Sequence, residues 1–382
     1  MLLAAGALGL VPAAAHADTV VALGDSAISG EAGRWAGNTN GAASKTDALG
    51  ASAYNDIPGA ESTPGCHRSK AAEVHIGGGV TSVNLACSGA RTYSRVSDGK
   101  FKPGIDFYNV GGNKGQALAL QEYAANDPNI KAVVVLIGAN NYGFADIVQA
   151  CIVDWLTSPS WWKNYCQDDS DIASRFTAAN RAAITTAVRG AFQNVATAMW
   201  NAGYRDAVPR YKILAQTYSS PLPMASGMRY PETGFTRQTI GGCGTWNSDV
   251  NWARNTVVAS FNQSVRDAVA PLPNIQVLDM VDALAGRRLC ENTVGLLEEK
   301  GVPSWTSAGA AFKTEWVHQI RTVTTIFPPY QLQEDGHPNY WGQLALRNCF
   351  RQAYNAGNPR GGSCTRGTDQ LNASGEPNMS LQ

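Results

Sequence analysis

Charge is what this 382-residue chain has least of: Asp, Glu, Lys and Arg make up only 16% of it, 30 basic residues against 30 acidic. So sparse and even a distribution leaves no electrostatic footprint for nucleic acid or for an anionic membrane surface. Low charge beside many Gly, Ala, Asn and Ser residues is also unlike the charge-rich composition of disordered chains. No stretch beyond the N-terminus reaches the ~20 uninterrupted apolar residues of a membrane span. There is no Cys-x-x-Cys pair and no Cys/His cluster at zinc-ligand spacing, which argues against a structural zinc. Gly-x-Ser-x-Gly does not occur, so the strained elbow of the α/β-hydrolases is not available to this protein. Gly77-Gly78-Gly79 precedes a strand instead of joining strand to helix, so it is not a phosphate loop. Histidine is scarce, with five in the chain.

Against these absences stand 39 glycines, 10 tryptophans and eight cysteines. The N-terminus is an apolar run ending in Ala15-His16-Ala17, the pattern of a signal-peptide core and small-residue cleavage site, although a basic leader before it is missing. Residues 1–17 are therefore expected to be a signal peptide and the protein to be secreted. The cysteines fall at Cys66, Cys87, Cys151, Cys166, Cys243, Cys290, Cys349 and Cys364, an even set that suits an oxidising compartment. Eight cysteines allow 105 pairings. We expect the sequential set, each bridge closing a local loop and contributing about 2–4 kcal/mol.

Strand-like apolar runs alternate with helical segments. Strands are predicted over 19–23 (TVVAL), 81–86, 130–137 (IKAVVVLI), 211–218 and 275–280. The third is continuous and β-branched, as a central parallel strand should be. Helices are predicted over 116–125, 171–202, 250–269 and 340–354. The alternation implies an α/β fold with a parallel sheet covered on both faces. Long Gly-, Asn- and Pro-rich loops occupy 33–66, 92–115 and 286–328, and none reads as an interdomain linker. One domain over 18–355 is expected, followed by an irregular polar tail over 356–382.

Three segments carry the chemistry. Gly24-Asp25-Ser26 stands just past the first strand, where doubly wound sheets bind ligands. A serine hydroxyl there needs a nearby base to act as a nucleophile; the plain alternative is a turn or a helix cap. Gly138-Ala139-Asn140-Asn141 ends the strongest strand, and an amide NH₂ is a suitable donor to an oxyanion. Asn140 would otherwise serve as a helix cap. Between the two, Gly89 could present a bare backbone N–H to a ligand. Near the C-terminus, Glu334-Asp335-Gly336-His337 sets a histidine beside two carboxylates, the makings of an oriented general base.

Taken in order, Gly-Asp-Ser, a lone Gly, Gly-x-Asn and carboxylate-x-x-His resemble the SGNH/GDSL hydrolases. The resemblance is strongest to their secreted actinobacterial esterases and lipases, whose blocks are similar to 84–90 (NLACSGA) and 337–344 (HPNYWGQL). It implies a three-layer, flavodoxin-like fold. It also implies Ser26 as nucleophile, His337 as base, and an oxyanion hole from the Ser26 N–H, the Gly89 N–H and the Asn140 side chain. The chain departs from the pattern at Ala27, where the family has Leu, and at Asn141, where it has Asp. Family spacing gives the third triad position to Glu334, with Asp335 a rival; some relatives use a backbone carbonyl instead. Cys66-His67-Arg68-Ser69 also resembles a block in these relatives, though by itself it reads as a disulfide loop with a basic surface group.

The resulting expectation is a monomeric serine ester hydrolase acting on a small-molecule or lipid ester, with no cofactor, no metal, no nucleic-acid partner and no stable membrane insertion. A polysaccharide deacetylase using the same serine chemistry is the alternative enzyme. A non-catalytic lipid- or carbohydrate-binding protein on the same scaffold is the alternative class. Trp155, Trp161, Trp162 and Tyr165, between Cys151 and Cys166, are either core or an aromatic flap over an acyl group.

Overall fold

The computed structural model describes residues 17–321 and 333–382. The signal peptide expected over 1–17 therefore lies outside the described residues but for Ala17. The five expected strands form β1 (Thr19–Gly24), β2 (Thr81–Asn84), β3 (Ile130–Leu136), β4 (Lys212–Gln216) and β5 (Ile275–Asp279). They pair in parallel in the order β2-β1-β3-β4-β5, the flavodoxin-like arrangement. All six residues of β1 and all but Lys131 of β3 are buried. Continuous apolar runs suit these positions because helices cover both faces of the sheet.

Alongside the sheet run α1 (Ser26–Ser29), α2 (Gln116–Ala124), α3 (Phe144–Thr157), α4 (Ala178–Asn201), α5 (Ala259–Val269) and α6 (Tyr340–Tyr354). The helix expected over 171–202 is broken. A short Ser170–Ser174 turn precedes α4, which restarts where Thr177 Oγ1 accepts the Asn180 N–H. The helix expected over 250–269 passes through a π-helical stretch, Ala253–Val258, before α5. Helix α3 had no counterpart in the sequence reading.

The tail over 356–382 corrects the expectation of irregular structure. It forms β6 (Gly362–Leu371) and β7 (Pro377–Leu381), an antiparallel pair that joins the sheet where Gly362 and Ser363 align in parallel with Leu278 and Asp279. Among the described residues the sheet thus has seven strands and is mixed at one edge. Most of β6 is exposed, so its polar composition gives no apolar alternation from which to read a strand. What anchors it is tertiary. Cys364 bonds to Cys349 on α6, and the buried Glu376 carboxylate pairs with Arg351, also on α6.

The cysteines are joined as Cys66–Cys87, Cys151–Cys166, Cys243–Cys290 and Cys349–Cys364, the sequential set, with no free thiol among the described residues. No helix among the described residues is long and apolar enough to cross a membrane. Titrating the denatured, unreduced protein with a thiol reagent should accordingly give no reaction. Two or more reactive thiols per chain would contradict this pairing.

Candidate active site

The site lies at the C-terminal edge of the sheet, at the switch point between β1 and β3 where strand order reverses. Gly24 makes the turn that exposes Ser26. Its φ is +139°, and a Cβ there would sit 1.9 Å from the Leu136 carbonyl oxygen, so no other residue lets β1 and β3 stay paired to their ends. The buried Gln116 amide fixes the same turn, accepting the Gly24 N–H at 2.7 Å and donating to the Gly24 carbonyl at 2.9 Å. Asp25 then caps α1 by accepting the Ala27 N–H, leaving Ser26 as the first helical residue.

Across the chain, His337 Nε2 lies 2.6 Å from Ser26 Oγ, both residues being nearly buried at 9% and 8% exposure. His337 Nδ1 lies 3.1 Å from the backbone carbonyl of Asp335. A carbonyl can only accept, so Nδ1 carries the ring proton and Nε2 is left to accept the Ser26 hydroxyl proton.

Neither carboxylate meets the imidazole. Glu334 Oε1 accepts the Tyr54 hydroxyl at 2.5 Å, and Asp335 Oδ2 accepts the Arg321 backbone N–H at 3.2 Å. The assignment of Glu334, or its rival Asp335, as the group orienting His337 is corrected to the Asp335 main chain. The tight turn at Gly336, with φ +74°, folds the carbonyl two residues back onto Nδ1. Burial pushes His337 below the ordinary imidazole value, against the opposing pull of the Glu31 charge and the Asp335 carbonyl.

Gly89 and Asn140 follow β2 and β3, the two strands that pair with β1, and Asn140 lines the same cavity as Ser26. Gly89 has φ +76°, a conformation disfavoured for residues with a Cβ, while a Cβ would meet only the Lys102 side chain at 3.6 Å. The need for glycine here is thus conformational, not steric. Asn140 donates one amide hydrogen to the Ala90 carbonyl at 3.0 Å, which ties the β3 turn to the Gly89 loop. It does not cap α3, whose cap position is Gly143. Asn141 holds the neighbouring turn, accepting the Thr92 N–H and donating to the Thr92 hydroxyl at 2.9 Å. Gln333 Nε2 donates to Ser88 Oγ at 3.0 Å, linking the His337 loop to the same turn.

Two further groups were not singled out in the sequence reading. The Tyr218 hydroxyl accepts the Ala139 N–H at 3.0 Å and donates to Asp25, joining the Ser26 and Asn140 turns beneath the site. Asp25 is fully buried, and burial pushes its carboxyl up to about 7. Tyr218 carried no signal beyond its place at the end of a predicted strand. Ser26 and His337 border a cavity of about 60 Å³ whose walls include Phe144, Tyr218, Val258 and Phe261. The aromatic segment between Cys151 and Cys166 is not part of these walls. Trp155 is core at 4% exposure, while Trp161 and Trp162 are exposed at 81% and 74%.

Among the described residues no cluster of His, Cys, Asp and Glu could hold a metal ion. No family model and no curated protein matches the chain. Solved structures resemble it distantly. A carbohydrate acetylesterase from Sinorhizobium meliloti is 9% identical with a TM-score of 0.36, the match covering 89% of this chain and 99% of that one. A putative arylesterase from Agrobacterium tumefaciens strain C58 is 13% identical with a TM-score of 0.35, over 89% and 99%. The aryl esterase of M. smegmatis is 10% identical with a TM-score of 0.30, over 69% and 84%. Likeness at this distance carries no argument about activity, which must be read from the site itself.

The site makes a spectroscopic prediction. A depressed pKa means that His337 stays neutral as pH falls past about 6.5 and gains its proton only below that value. His67, whose ring meets the Glu31 carboxylate, is raised and should hold its proton above the same value. An NMR titration of the histidine ring protons should therefore give the two on opposite sides of about 6.5. The reverse order would contradict these assignments.

Proposed function

We propose that the protein is a serine ester hydrolase that works through an acyl-enzyme on Ser26. The observation that carries this reading is the 2.6 Å contact between Ser26 Oγ and the unprotonated nitrogen of an oriented His337, at the ligand-binding edge of the sheet. Ser26 Oγ attacks the ester carbonyl while its proton passes to His337 Nε2. The negative charge that appears on the carbonyl oxygen is met by the Ser26 and Gly89 N–H groups and by the Asn140 hydrogen not engaged with Ala90. His337 then returns the proton to the leaving alcohol. Water, deprotonated by the same nitrogen, attacks the acyl-serine and restores Ser26 with release of the acid. The Asp335 carbonyl fixes the tautomer throughout, so a Ser–His dyad replaces the triad.

The cavity beside Ser26 supports a short acyl group. The cavity is narrow, and its walls of Phe144, Val258 and Phe261 would pack against a short acyl group. Retention of an intact nucleophile–base contact speaks against a non-catalytic binding protein. Export fits four disulfides in a chain with a signal-like N-terminus.

An organophosphonate probe should label Ser26, and activity on p-nitrophenyl esters should fall from acetate to palmitate and vanish in Ser26→Ala. Labelling of another serine with Ser26 unmodified would overturn the mechanism. Asn140→Ala should lower kcat about 10²–10³-fold with KM little changed.

The orienting group has its own test. In a serine-protease triad, amide replacement of the acid costs about 10⁴ in kcat. With a carbonyl in that role, Asp335→Asn should stay within about tenfold of the native rate, well short of that triad cost. Glu334→Gln should lose no more than a comparable factor, through its Tyr54 contact. A 10⁴-fold loss in either variant would restore a carboxylate to the dyad.

A further inference from the structure

The segment Cys66-His67-Arg68-Ser69 is the expected disulfide-bonded loop, but its basic group is turned inward, the Arg68 side chain being 12% exposed. It is packed against all three parts of the site at once. Towards the nucleophile turn, the Ser69 N–H donates to the Ser29 carbonyl at 2.9 Å, and the Ser29 hydroxyl lies 3.3 Å from the His67 carbonyl. His67 Nδ1 meets Glu31 Oε1 at 2.7 Å, and the Glu31 N–H in turn donates to the Ser26 carbonyl at 3.1 Å. Towards the Gly89 loop runs the Cys66–Cys87 disulfide, beside a Ser88 N–H bond to the Cys66 carbonyl at 3.0 Å. The Arg68 guanidinium completes that link by donating to the Ala86 and Leu85 carbonyls at 2.9 and 3.1 Å. Towards the His337 loop, the Tyr54 ring stacks on His67 with centroids 4.6 Å apart, and its hydroxyl donates to Glu334. The Glu334 carbonyl accepts the His337 N–H at 3.3 Å.

His67 is where these links meet, and its backbone is unusual. It holds φ +49°, a left-handed conformation that a non-glycine residue keeps only when its surroundings over-determine it. Its partner Glu31 is a carboxylate with no solvent exposure, and Glu31 Oε2 has no hydrogen-bond partner. Such a group is costly to bury without a firm hold, and the imidazole supplies that hold. The charged and titratable groups facing the ring are Glu31, Glu61, Lys102 and Tyr54. Burial and Lys102 disfavour the imidazolium. The Glu31 bond and the charges of Glu31 and Glu61 favour it and prevail.

We propose that His67 is a positioning residue for the reaction: its ring, gripped by Glu31 and covered by Tyr54, sets the spacing among Ser26, the Gly89 N–H and His337. The proposal rests on the hydrolase reading above and assigns His67 no contact with substrate. It also gives Glu334 a role that its distance from the imidazole left open, as the Tyr54-bound end of this bracket.

The experiment compares His67→Ala, His67→Gln and Tyr54→Phe in the whole protein. Phosphonate titration counts competent sites so that kcat is expressed per site. His67→Ala should lower per-site kcat about 10–100-fold with KM nearly unchanged, the penalty expected of misplacement by about an ångström. His67→Gln keeps a donor for Glu31 and should recover most of that loss. Tyr54→Phe, which loses only the hydroxyl to Glu334, should fall between native and His67→Ala. A per-site kcat within about twofold of native in His67→Ala, with only fewer sites or a lower Tm, would overturn the proposal. If His67→Ala does not fold, native per-site rates in both other variants overturn it equally. The downfield proton signal of His337 Nδ1–H, which needs no turnover, separates this idea from the hydrolase reading. It should shift or broaden in the His67 and Tyr54 variants even if no ester is cleaved, and an unchanged signal in all of them would refute the bracket.

Discussion

Ser26 and His337 are separated by 311 residues of chain and by 2.6 Å in space, and that hydrogen bond is what the surrounding architecture is built to hold. One end is set by backbone geometry. Gly24 lets β1 turn out of the sheet where a Cβ would sit 1.9 Å from the Leu136 carbonyl oxygen, and Asp25 caps the single helical turn that begins with the serine. The other end is held by a two-residue recoil, the Asp335 carbonyl reaching back to the imidazole of its own loop. In the proposed mechanism a proton moves between the two, and burial, which lowers the His337 pKa, favours the neutral ring that would accept it.

This arrangement shifts electrostatic work from a neighbouring carboxylate to fixed dipoles and more distant charge. A backbone carbonyl fixes the tautomer without placing a full negative charge in a dry pocket. The buried Glu31 carboxylate, compensated by His67, adds negative potential on the His337 side of the site. Asp25 and Tyr218 form a second buried chain beneath, joining the serine turn to the Asn140 turn. The proposed oxyanion donors thus come from three successive strand ends held together by side-chain bonds instead of by one continuous loop. The disulfides follow the same logic at larger scale. Cys66–Cys87 ties the first of these loops to the second, and Cys349–Cys364 ties the last helix to the added edge strands.

Much of the framework was legible in the residues because it depends on local pattern. The central strands β1 and β3 announced themselves as β-branched apolar runs, since a strand buried on both faces has no polar alternation to confuse it. Helix α3 escaped notice although it holds five buried residues, because loop-like Gly and Asn precede it and Pro and Trp follow it. The edge pair β6–β7 escaped for the opposite reason: an exposed strand has no apolar face to read, and Cys364 and Glu376 supply its anchorage from outside its own sequence.

By itself the sequence determined the parallel α/β sheet and placed Ser26 and Asn140 just past the ends of apolar strands, which follow from periodicity and turn chemistry, both local properties. The sequential cysteine pairing was one expectation among 105, and the grouping of Ser26, Gly89, Asn140 and His337 came from the resemblance of their motifs to the SGNH/GDSL hydrolases. Only the tertiary structure decided what orients His337 and what Glu334 and His67 touch. Every residue carries a carbonyl, so the one that meets Nδ1 leaves no mark in the residue types, whereas Glu334 and Asp335 advertised a role that chain path denied them. His67 gained its place from Tyr54, Glu31 and a left-handed backbone, contacts that exist only once distant loops have closed around it.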